Sequence, residues 1–347
     1  LDYTNPEAGA FWHTLKRKAL VDMGIVGHWT DLGEPEMFLQ KGADGKLTTP
    51  TYHRGSQAQA HNLFNFLWSK SISDAYAQHH PTLRPFILSR SGTSGSQRFG
   101  VAMWSGDIAS NYQSLGSHLN AQMHMSWSGI DYFGSDVGGF FRVAFKGTEQ
   151  GVGELYTRWF GAACYTDVPV RPHTVNLENK HETAPDRIGH LPSNLANLRE
   201  RYALLPYYYS LAHLAHQQGD PLVAPLAYWY PQRERWLKWN SNGDQKTIGR
   251  SLMVVAEARP ESKTKSVFLP SGTWYDYRTG RRDADSDGRV RDWPLYDDQG
   301  CFRPPLLARA GAIIPTSEGL RVFAGKEGEF TVIDDDGHSS AYLTGQF

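Results

Sequence analysis

The sequence predicts an α/β fold, the C-terminal portion of a (β/α)8 TIM-type barrel, followed by a β-sandwich-like C-terminal domain. The first two-thirds of the chain alternates short apolar runs with longer segments of helical periodicity, which is typical of βα units around a parallel sheet. About four or five such units precede residue 220, whereas a complete barrel has eight. We therefore expect part of a barrel.

The apolar runs mark the expected strands of this barrel portion, and two long segments have the apolar spacing of helices. The expected strands are residues 24–30, 84–89, 101–105 and 130–134. The expected helices are residues 61–79 and 195–216, and Gly219-Asp220-Pro221 should end the second. Catalytic side chains of a βα barrel come from the C-terminal ends of strands. Asp31, Arg90, Asp107 and Asp136 all follow apolar runs in this way.

The pattern of the sequence changes from helical to β-like after about residue 230. Short β-like runs, such as 251–256 and 266–270, are separated there by Gly, Pro and Asp turns. We expect the catalytic barrel portion to span residues 1–229 and a proximal C-terminal β-domain to span residues 230–321. Residues 322–347 should begin a distal β-domain.

Composition excludes several classes of partner. The 35 Lys and Arg against 36 Asp and Glu produce a net charge of -1, which generates no field that would gather nucleic acid or anionic lipid. No stretch reaches the roughly 18 consecutive apolar residues of a membrane helix, and residues 1–6 resemble an interior start without a signal core. The 11 Trp and 17 Tyr suit sugar rings, although such residues also fill cores and interfaces. A carbohydrate or other neutral small-molecule partner fits best.

No metal or organic cofactor is expected. Cys164 and Cys301 match no metal or redox spacing and are predicted to be buried thiols. Residues 283–288 have oxygen ligands at alternate positions, as in a calcium loop, but lack the downstream bidentate Glu, so a solvated turn is favoured. Residues 334–337 are likewise expected to form a turn.

Two acidic segments follow apolar runs and are the candidates for chemistry. The first places Asp31, Glu34 and Glu36 after the run that ends in Trp29-Thr30, and the second is Trp104-Ser105-Gly106-Asp107. Each acid could simply cap a helix, because Asp and Glu belong at helix starts. Two carboxylates at one barrel mouth would instead suit glycoside hydrolysis, in which one attacks the anomeric carbon and the other protonates the leaving oxygen.

Other side chains near these acids have a functional and a structural interpretation. Trp29 and Trp104 could line a pocket or pack the core, and Arg90 could meet sugar hydroxyls or form a structural salt bridge. Asp136, in the Gly-rich run 134–140, could bind hydroxyls or position Arg90. His173 could donate to a sugar hydroxyl or be a satisfied structural residue.

Taken together, these segments resemble glycoside hydrolase family 31, the α-glucosidase and α-xylosidase family. The resemblance runs in order along nearly the whole chain. It is carried by residues 2–8, Trp29-Thr30-Asp31-Leu32-Gly33-Glu34-Pro35, Arg90-Ser91, Gln97-Arg98-Phe99, Trp104-Ser105-Gly106-Asp107, residues 134–140 and Arg171-Pro172-His173, and in the β-domain by residues 270–276 and 306–315.

The resemblance implies the roles of the site residues. Asp31 would be the nucleophile and Asp107 the acid/base of a retaining α-glycosidase that acts on terminal α-linked glucosyl or related residues of an oligosaccharide or α-glycoside. The implied substrate-binding residues are Trp29, Leu32, Arg90, Trp104, Asp136, Phe140 and His173.

The chain also departs from the family pattern. Leu32-Gly33 stands where α-glucosidases of the family usually have Met-Asn, and Pro172 replaces the usual Asn. The family's N-terminal β-domain and first barrel strands have no counterpart, so the chain resembles a fragment. The alternatives are an α-xylosidase, an α-transglucosylase or an α-glucan lyase on the same scaffold and, from another class, a carbohydrate-binding pseudoenzyme.

Overall fold

The computed structural model describes residues 1–35, 40–176, 178–231, 243–286 and 288–345. Two compact units are present. The first comprises Leu1–Trp104, Ser128–Tyr132 and Asp335–Phe347, and the second comprises Ser105–Trp127 and Phe133–Asp334, each as far as its residues are described. None of the helices in the described ranges combines the length and hydropathy that a bilayer crossing requires.

The first unit contains helices around a short parallel sheet. In chain order its elements are α1 (Pro6–Trp12), a π-helical turn (His13–Arg17), α2 (Lys18–Asp22), β1 (Gly27–Thr30), β2 (Gln40–Lys41), β3 (Leu47–Thr48), β4 (Thr51–Tyr52), β5 (Gly55–Ser56), α3 (Gln57–His79), β6 (Phe86–Ser89), a 3-10 turn (Ser96–Phe99), β7 (Val101–Trp104) and a second 3-10 turn (Ala341–Thr344). β6 pairs in parallel with both β1 and β7. The expected strands 24–30, 84–89 and 101–105 therefore form, each trimmed by one to three residues.

Local signals in the sequence set the starts of the helices. The Asn5 side chain accepts the backbone N–H of Glu7, and Pro6 occupies the first turn of α1, where its missing N–H has no cost. At the start of α3, Ser56 and Gln59 form a capping box. The predicted helix 61–79 is confirmed, with four further residues at its N-terminus.

The second unit begins with the remaining barrel elements. They are α4 (Tyr112–Trp127), β8 (Phe133–Gly134), a 3-10 turn (Arg142–Ala144), α5 (Glu149–Thr166), α6 (Leu191–Ala203) and α7 (Leu205–Gln218). The single helix expected over 195–216 is wrong, since α6 and α7 meet at Leu204. Pro206 has no N–H to donate and its ring clashes with the carbonyl four residues earlier, which breaks the helix. Gly219, at φ 79°, ends α7 as expected.

The rest of the second unit is rich in β-structure. Its elements are β9 (Val223–Pro225), α8 (Leu226–Trp229), β10 (Gln245–Ile248), β11 (Leu252–Val255), β12 (Thr264–Leu269), β13 (Gly272–Asp276), β14 (Arg282–Ser286), β15 (Arg289–Pro294), β16 (Leu306–Arg309), β17 (Ile313–Thr316) and β18 (Gly319–Val322). A six-stranded sheet has the order β14-β13-β16-β11-β10-β9, and β12 pairs with β15, as does β17 with β18.

An apolar core lies between the six-stranded sheet and the β12-β15 pair. Met253, Leu307 and Trp274 from the large sheet pack with Val267 and Trp293 from the pair, and all five are buried. Burial of these apolar side chains stabilises the packing of the two layers. This arrangement is the β-sandwich-like domain that the sequence predicts.

The remaining small expectations concern thiols and turns. Cys164 and Cys301 are free and buried, as predicted, and burial raises the pKa of the Cys164 thiol to about 12. In the segment 334–337 the chain bends at Gly337, and Asp336 accepts the backbone N–H groups of His338 and Ser339. The solvated turn expected over 283–288 is wrong for residues 283–286, which belong to β14, and Asp287 lies outside the described residues.

Candidate active site

The parallel register of the first unit aligns the ends of three strands. Thr30 of β1 lies opposite Ser89 of β6, and Ser89 lies opposite Met103 of β7. The next residue along each strand is therefore Asp31, Arg90 or Trp104. These three sequence-predicted residues share one edge of the sheet, the carboxyl edge, where barrel enzymes place their chemistry.

Arg90 connects the carboxylates at this edge. Its Nε lies 3.5 Å from Asp31 Oδ1, and it donates to Glu34 Oε1 at 2.5 Å. Its second guanidinium nitrogen donates to Glu34 Oε2 at 3.2 Å. The planar guanidinium thus contacts Glu34 through two hydrogen bonds. These two bonds fix the orientation in which its Nε faces Asp31. Arg90 forms a salt bridge and also lies beside the predicted nucleophile.

The turn after Asp31 has a constrained backbone. Leu32 has φ 56°, a left-handed conformation that costs a residue with a Cβ about 1 kcal/mol or more. A Cβ on Gly33 would lie 1.9 Å from Nδ2 of the buried Asn65, so no side chain fits there. Residues 31–35 form turns, and this geometry brings Glu34 back to Arg90. Glu36 lies outside the described residues.

The two predicted tryptophans have different environments. Trp104 is buried, whereas Trp29 is 57% exposed. Their ring centroids are 6.2 Å apart with an interplanar angle of 48°. Trp104 therefore packs in the core of the first unit, and Trp29 presents an accessible aromatic face at the strand end, where a sugar ring could stack.

In the second unit, Asp107 is exposed and lies in the loop before α4. The Ile108 carbonyl accepts the N–H groups of Phe140 at 2.8 Å and Phe141 at 3.2 Å, which fastens this loop to the Gly-rich segment. Asn111, not Asp107, caps α4 by accepting the Ser114 N–H at 2.8 Å. The helix-cap interpretation of Asp107 is therefore wrong.

Asp136 is fully buried and forms an ion pair with Arg171. The backbone supports the same contact, because the Val137 N–H donates to the Arg171 carbonyl at 3.0 Å. Gly139, at φ 87°, has no room for a side chain, since a Cβ would lie 2.4 Å from Ser110 Cα. The Gly-rich run is thus a close backbone crossing, which only glycine permits at Gly139.

His173 and Phe140 lie against each other, with ring centroids 5.6 Å apart. Burial lowers the pKa of His173, and the positive charge of Arg171 lowers it further, while the Asp107 carboxylate acts in the opposite direction. His173 is therefore neutral at pH 7, with one donor and one acceptor nitrogen. The second unit thus brings together Asp107, Phe140 and His173.

Sequence reasoning missed two partners in these sites. Glu34 was one of several acids in its segment, and its spacing of three residues from Asp31 was a signal that the two share a turn. Arg171 precedes His173 by two residues, which in extended chain places both on one side. Within the described ranges, no group of three or more His, Cys, Asp or Glu residues could hold a metal ion.

Family comparison decides the identity of the fold. Residues 1–211 match the TIM-barrel domain of glycosyl hydrolases family 31, and residues 219–314 match the C-terminal domain of the same family. The chain belongs to glycosyl hydrolase family 31. The predicted resemblance is confirmed, and so is the predicted order of a TIM-type barrel portion followed by a β-rich C-terminal domain.

Relatives within family 31 match nearly the whole chain. Neutral alpha-glucosidase C of Homo sapiens is 29% identical over 368 residues, which include 99% of this chain and 38% of the relative. Alpha-glucosidase 2 of Bacillus thermoamyloliquefaciens is 28% identical, over 100% of this chain and 44% of the relative. An alpha-xylosidase of Saccharolobus solfataricus is 28% identical, over 97% and 46%. The chain thus spans less than half the length of these curated relatives.

Solved structures of family 31 enzymes are similar as well. A dextranase of Flavobacterium johnsoniae, complexed with glucose, superposes with a TM-score of 0.83 at 25% identity, over 99% of this chain and 43% of the other. An alpha-xylosidase of Xanthomonas citri superposes with a TM-score of 0.84 at 26% identity, over 99% and 38%. The family 31 fold of the chain is therefore supported by sequence and by structure.

Proposed function

We propose that this chain is the catalytic part of a retaining α-glycosidase that hydrolyses terminal α-linked glucosyl or related residues through a covalent glycosyl-enzyme intermediate. The observation that carries the proposal is the placement of Asp31, beside Arg90, at the carboxyl edge of a parallel sheet. Membership of family 31, with relatives named as α-glucosidases and an α-xylosidase, supports the same reaction class.

In the first step a carboxylate oxygen of Asp31 attacks the anomeric carbon, and the bond to the leaving oxygen breaks as Asp107 gives that oxygen a proton. In the second step Asp107 takes a proton from water, whose oxygen attacks the same carbon and releases Asp31. Two displacements at one carbon restore the α configuration. Arg90 orients the attacking carboxylate because Glu34 holds its guanidinium in place.

The sugar would be held by polar side chains and by aromatic side chains. Asp136 and Arg90 would meet its hydroxyls, and neutral His173 can both donate and accept a hydrogen bond. The exposed face of Trp29 and the ring of Phe140 suit the apolar faces of a pyranose. Trp104 and Leu32 would shape the boundary of the same site from the strand end and the following turn.

An α-xylosidase is the second candidate. It is favoured by relatives of that name and by Leu32-Gly33 in place of the usual Met-Asn. Gly33 faces Asn65 without room for a Cβ, so the usual Asn does not fit at this position of the turn. A xyloside lacks the C6 hydroxymethyl group, so the two substrates separate the candidates directly.

The proposal is tested by measuring hydrolysis of aryl α-glucoside, α-xyloside and α-galactoside by this chain, with the anomeric form of the first product recorded by NMR. We expect the α-glucoside to be hydrolysed fastest and the first product to be the α anomer. Release of the β anomer would rule out retention. Sugar binding in calorimetry without turnover of any substrate would identify a pseudoenzyme instead, and a transfer or elimination product would assign the alternative chemistries.

A further inference from the structure

Five polar side chains form a buried cluster in the second unit, away from solvent. This Asp167 cluster consists of His118, Gln122, Ser135, Asp167 and Lys246, each no more than 5% exposed. Burial of an amine and a carboxylate carries a desolvation penalty for each ion before their attraction offsets it. Apolar side chains of similar volume would avoid that penalty, so packing alone does not account for the cluster.

Asp167 is the centre of the cluster. Its Oδ1 accepts from Gln122 Nε2 at 2.5 Å and Thr166 Oγ1 at 3.1 Å, and it lies 3.3 Å from His118 Nε2. Its Oδ2 accepts from Ser135 Oγ at 3.0 Å. Burial raises the pKa of the Asp167 carboxyl, but His118 and the hydrogen bonds from His118 and Ser135 outweigh burial and hold the pKa below its ordinary value. Asp167 is therefore an acceptor at both oxygens.

Ser135 transmits this arrangement to the candidate active site. Its hydroxyl donates to Asp167 and accepts from Trp159 Nε1 at 2.8 Å, so its orientation is fixed from two sides. The next residue is Asp136, which pairs with Arg171. The hydroxyl of Ser135 thus anchors the backbone directly before the predicted sugar-binding carboxylate.

The segment that carries Asp167 also runs beside the strand end. The Val168 N–H donates to the Phe133 carbonyl at 3.3 Å, and the Val137 N–H donates to the Arg171 carbonyl at 3.0 Å. A Cβ on Gly134 would lie 2.3 Å from the Pro169 carbonyl oxygen, so the two backbones are in close contact. Asp167 fastens one end of this crossing and Arg171 the other.

Lys246 orients the amide that serves Asp167. Its Nζ donates to Gln122 Oε1 at 2.5 Å, which turns the Gln122 NH2 group toward Asp167. Burial lowers the pKa of Lys246 to about 7, although Asp167 and Asp244 act to raise it. Lys246 lies on β10, so a strand of the C-terminal sheet supports the crossing next to Asp136.

We propose that Asp167 is a positioning residue that holds Asp136 in its sugar-binding orientation through Ser135, with Gln122 and Lys246 orienting the Asp167 carboxylate. The inference rests on the proposed function for its catalytic consequence, but its structural part stands independently. This role requires no contact of Asp167 with the substrate or the reacting atoms.

The test compares Asp167→Asn and Ser135→Ala with Glu257→Gln in the full 347-residue chain. Glu257 is a matched control, because it is a buried carboxylate of the same unit that pairs with Arg259 and Lys265 and makes no contact with the Asp167 cluster among the described interactions. The amide hydrogen-exchange rate of Val137 measures the stability of the backbone crossing. The kcat and KM values for an aryl α-glucoside measure how the crossing affects sugar binding and turnover.

We expect Val137 exchange to accelerate about tenfold in both cluster variants, as for loss of a hydrogen bond to a charged acceptor. We also expect kcat/KM to fall by roughly ten- to a hundredfold, with the double variant no worse than Asp167→Asn alone. Glu257→Gln should leave both readouts unchanged.

Unchanged Val137 exchange in both cluster variants would overturn the proposal, and so would faster exchange with an unchanged kcat/KM. Ser135→Ala removes only one hydroxyl, so it decides the matter even if Asp167→Asn fails to fold. If the wild-type chain does not hydrolyse the glucoside, the proposed function fails, whereas the exchange measurement still accepts or rejects the anchoring of Asp136.

Discussion

The Nε atom of Arg90 lies 3.5 Å from Asp31 Oδ1, at the ends of two paired parallel strands. The same guanidinium contacts both carboxylate oxygens of Glu34. One cation therefore determines the arrangement of two acids in the turn after β1. A change in the shape of the Arg90 side chain should alter the position of the Asp31 carboxylate, even if the positive charge is kept.

Arg90→Lys tests this relationship. A Lys ammonium is a point charge without the planar fork, so it cannot hold Glu34 at two points and face Asp31 together. We expect kcat/KM for an aryl α-glucoside to fall by about a hundredfold, as for a small misplacement of a reacting group. The control is Arg98→Lys, at an exposed position of the same unit. Equal activity of the Arg90→Lys and Arg98→Lys variants would show that the fork is not required.

Asp107→Ala should produce a defect that depends on the leaving group. An alkyl glucoside needs its leaving oxygen protonated, so its hydrolysis should slow by about 10²–10⁴-fold. The first step with a dinitrophenyl glucoside should be nearly unaffected, because that leaving group departs as an anion. Pre-steady-state release of dinitrophenolate measures it, with exposed Asp298→Ala as the control. A uniform loss with both substrates would remove Asp107 from the acid/base role.

Acid should destabilise the first unit through His28. Burial, followed by the charges of Arg17 and His13, lowers the pKa of His28 to about 4 from an ordinary value of 6.5. The unfolded chain then binds the proton more readily, so stability present above pH 6.5 is lost as the pH falls toward 4. In His28→Gln the loss of unfolding free energy between pH 7 and pH 5 should be smaller by about 1 kcal/mol. Urea unfolding at both pH values measures this, and exposed His53→Gln should behave as wild type.

Glu200 should be a major support of the second unit. It pairs with Arg278 at 2.8 Å and Arg303 at 2.9 Å, and Tyr165 donates to it at 2.5 Å. Glu200→Ala would leave two poorly solvated guanidinium groups without this partner, which costs about 3 kcal/mol of unfolding free energy. Chemical denaturation checks this value against Glu318→Ala at an exposed position. A difference below about 0.5 kcal/mol would mean that water or other groups replace the pair.

Much of the framework could be predicted because local signals decide it. Apolar runs predict β1, β6 and β7, and the geometry of a parallel sheet places Asp31 and Arg90 at its carboxyl edge. The apolar spacing continues across Leu204 and does not predict the break there, whereas Pro206 is the local signal for it. Helical spacing and a backbone break are independent properties of the sequence.

The pairings within the site could not be predicted in the same way. The contact of Glu34 with Arg90 depends on a turn in which Leu32 adopts φ 56°. The presence of a leucine does not predict this conformation. Asp136 and Arg171 are 35 residues apart, and their pairing follows from a backbone crossing that needs Gly134 and Gly139. Such contacts arise from tertiary packing and carry no periodic signal.

Asp31 is proposed to form a covalent bond to the sugar, and trapping of that intermediate tests this role most directly. A fluorinated α-glucosyl fluoride has a good leaving group but a slowed second step, so a retaining enzyme accumulates the glycosyl ester. Peptide mass spectrometry of the treated chain should locate one added glycosyl group on Asp31, and Asp31→Asn should acquire none. A label on another residue, or turnover of an unmodified aryl α-glucoside by Asp31→Asn at the wild-type rate, would contradict the account.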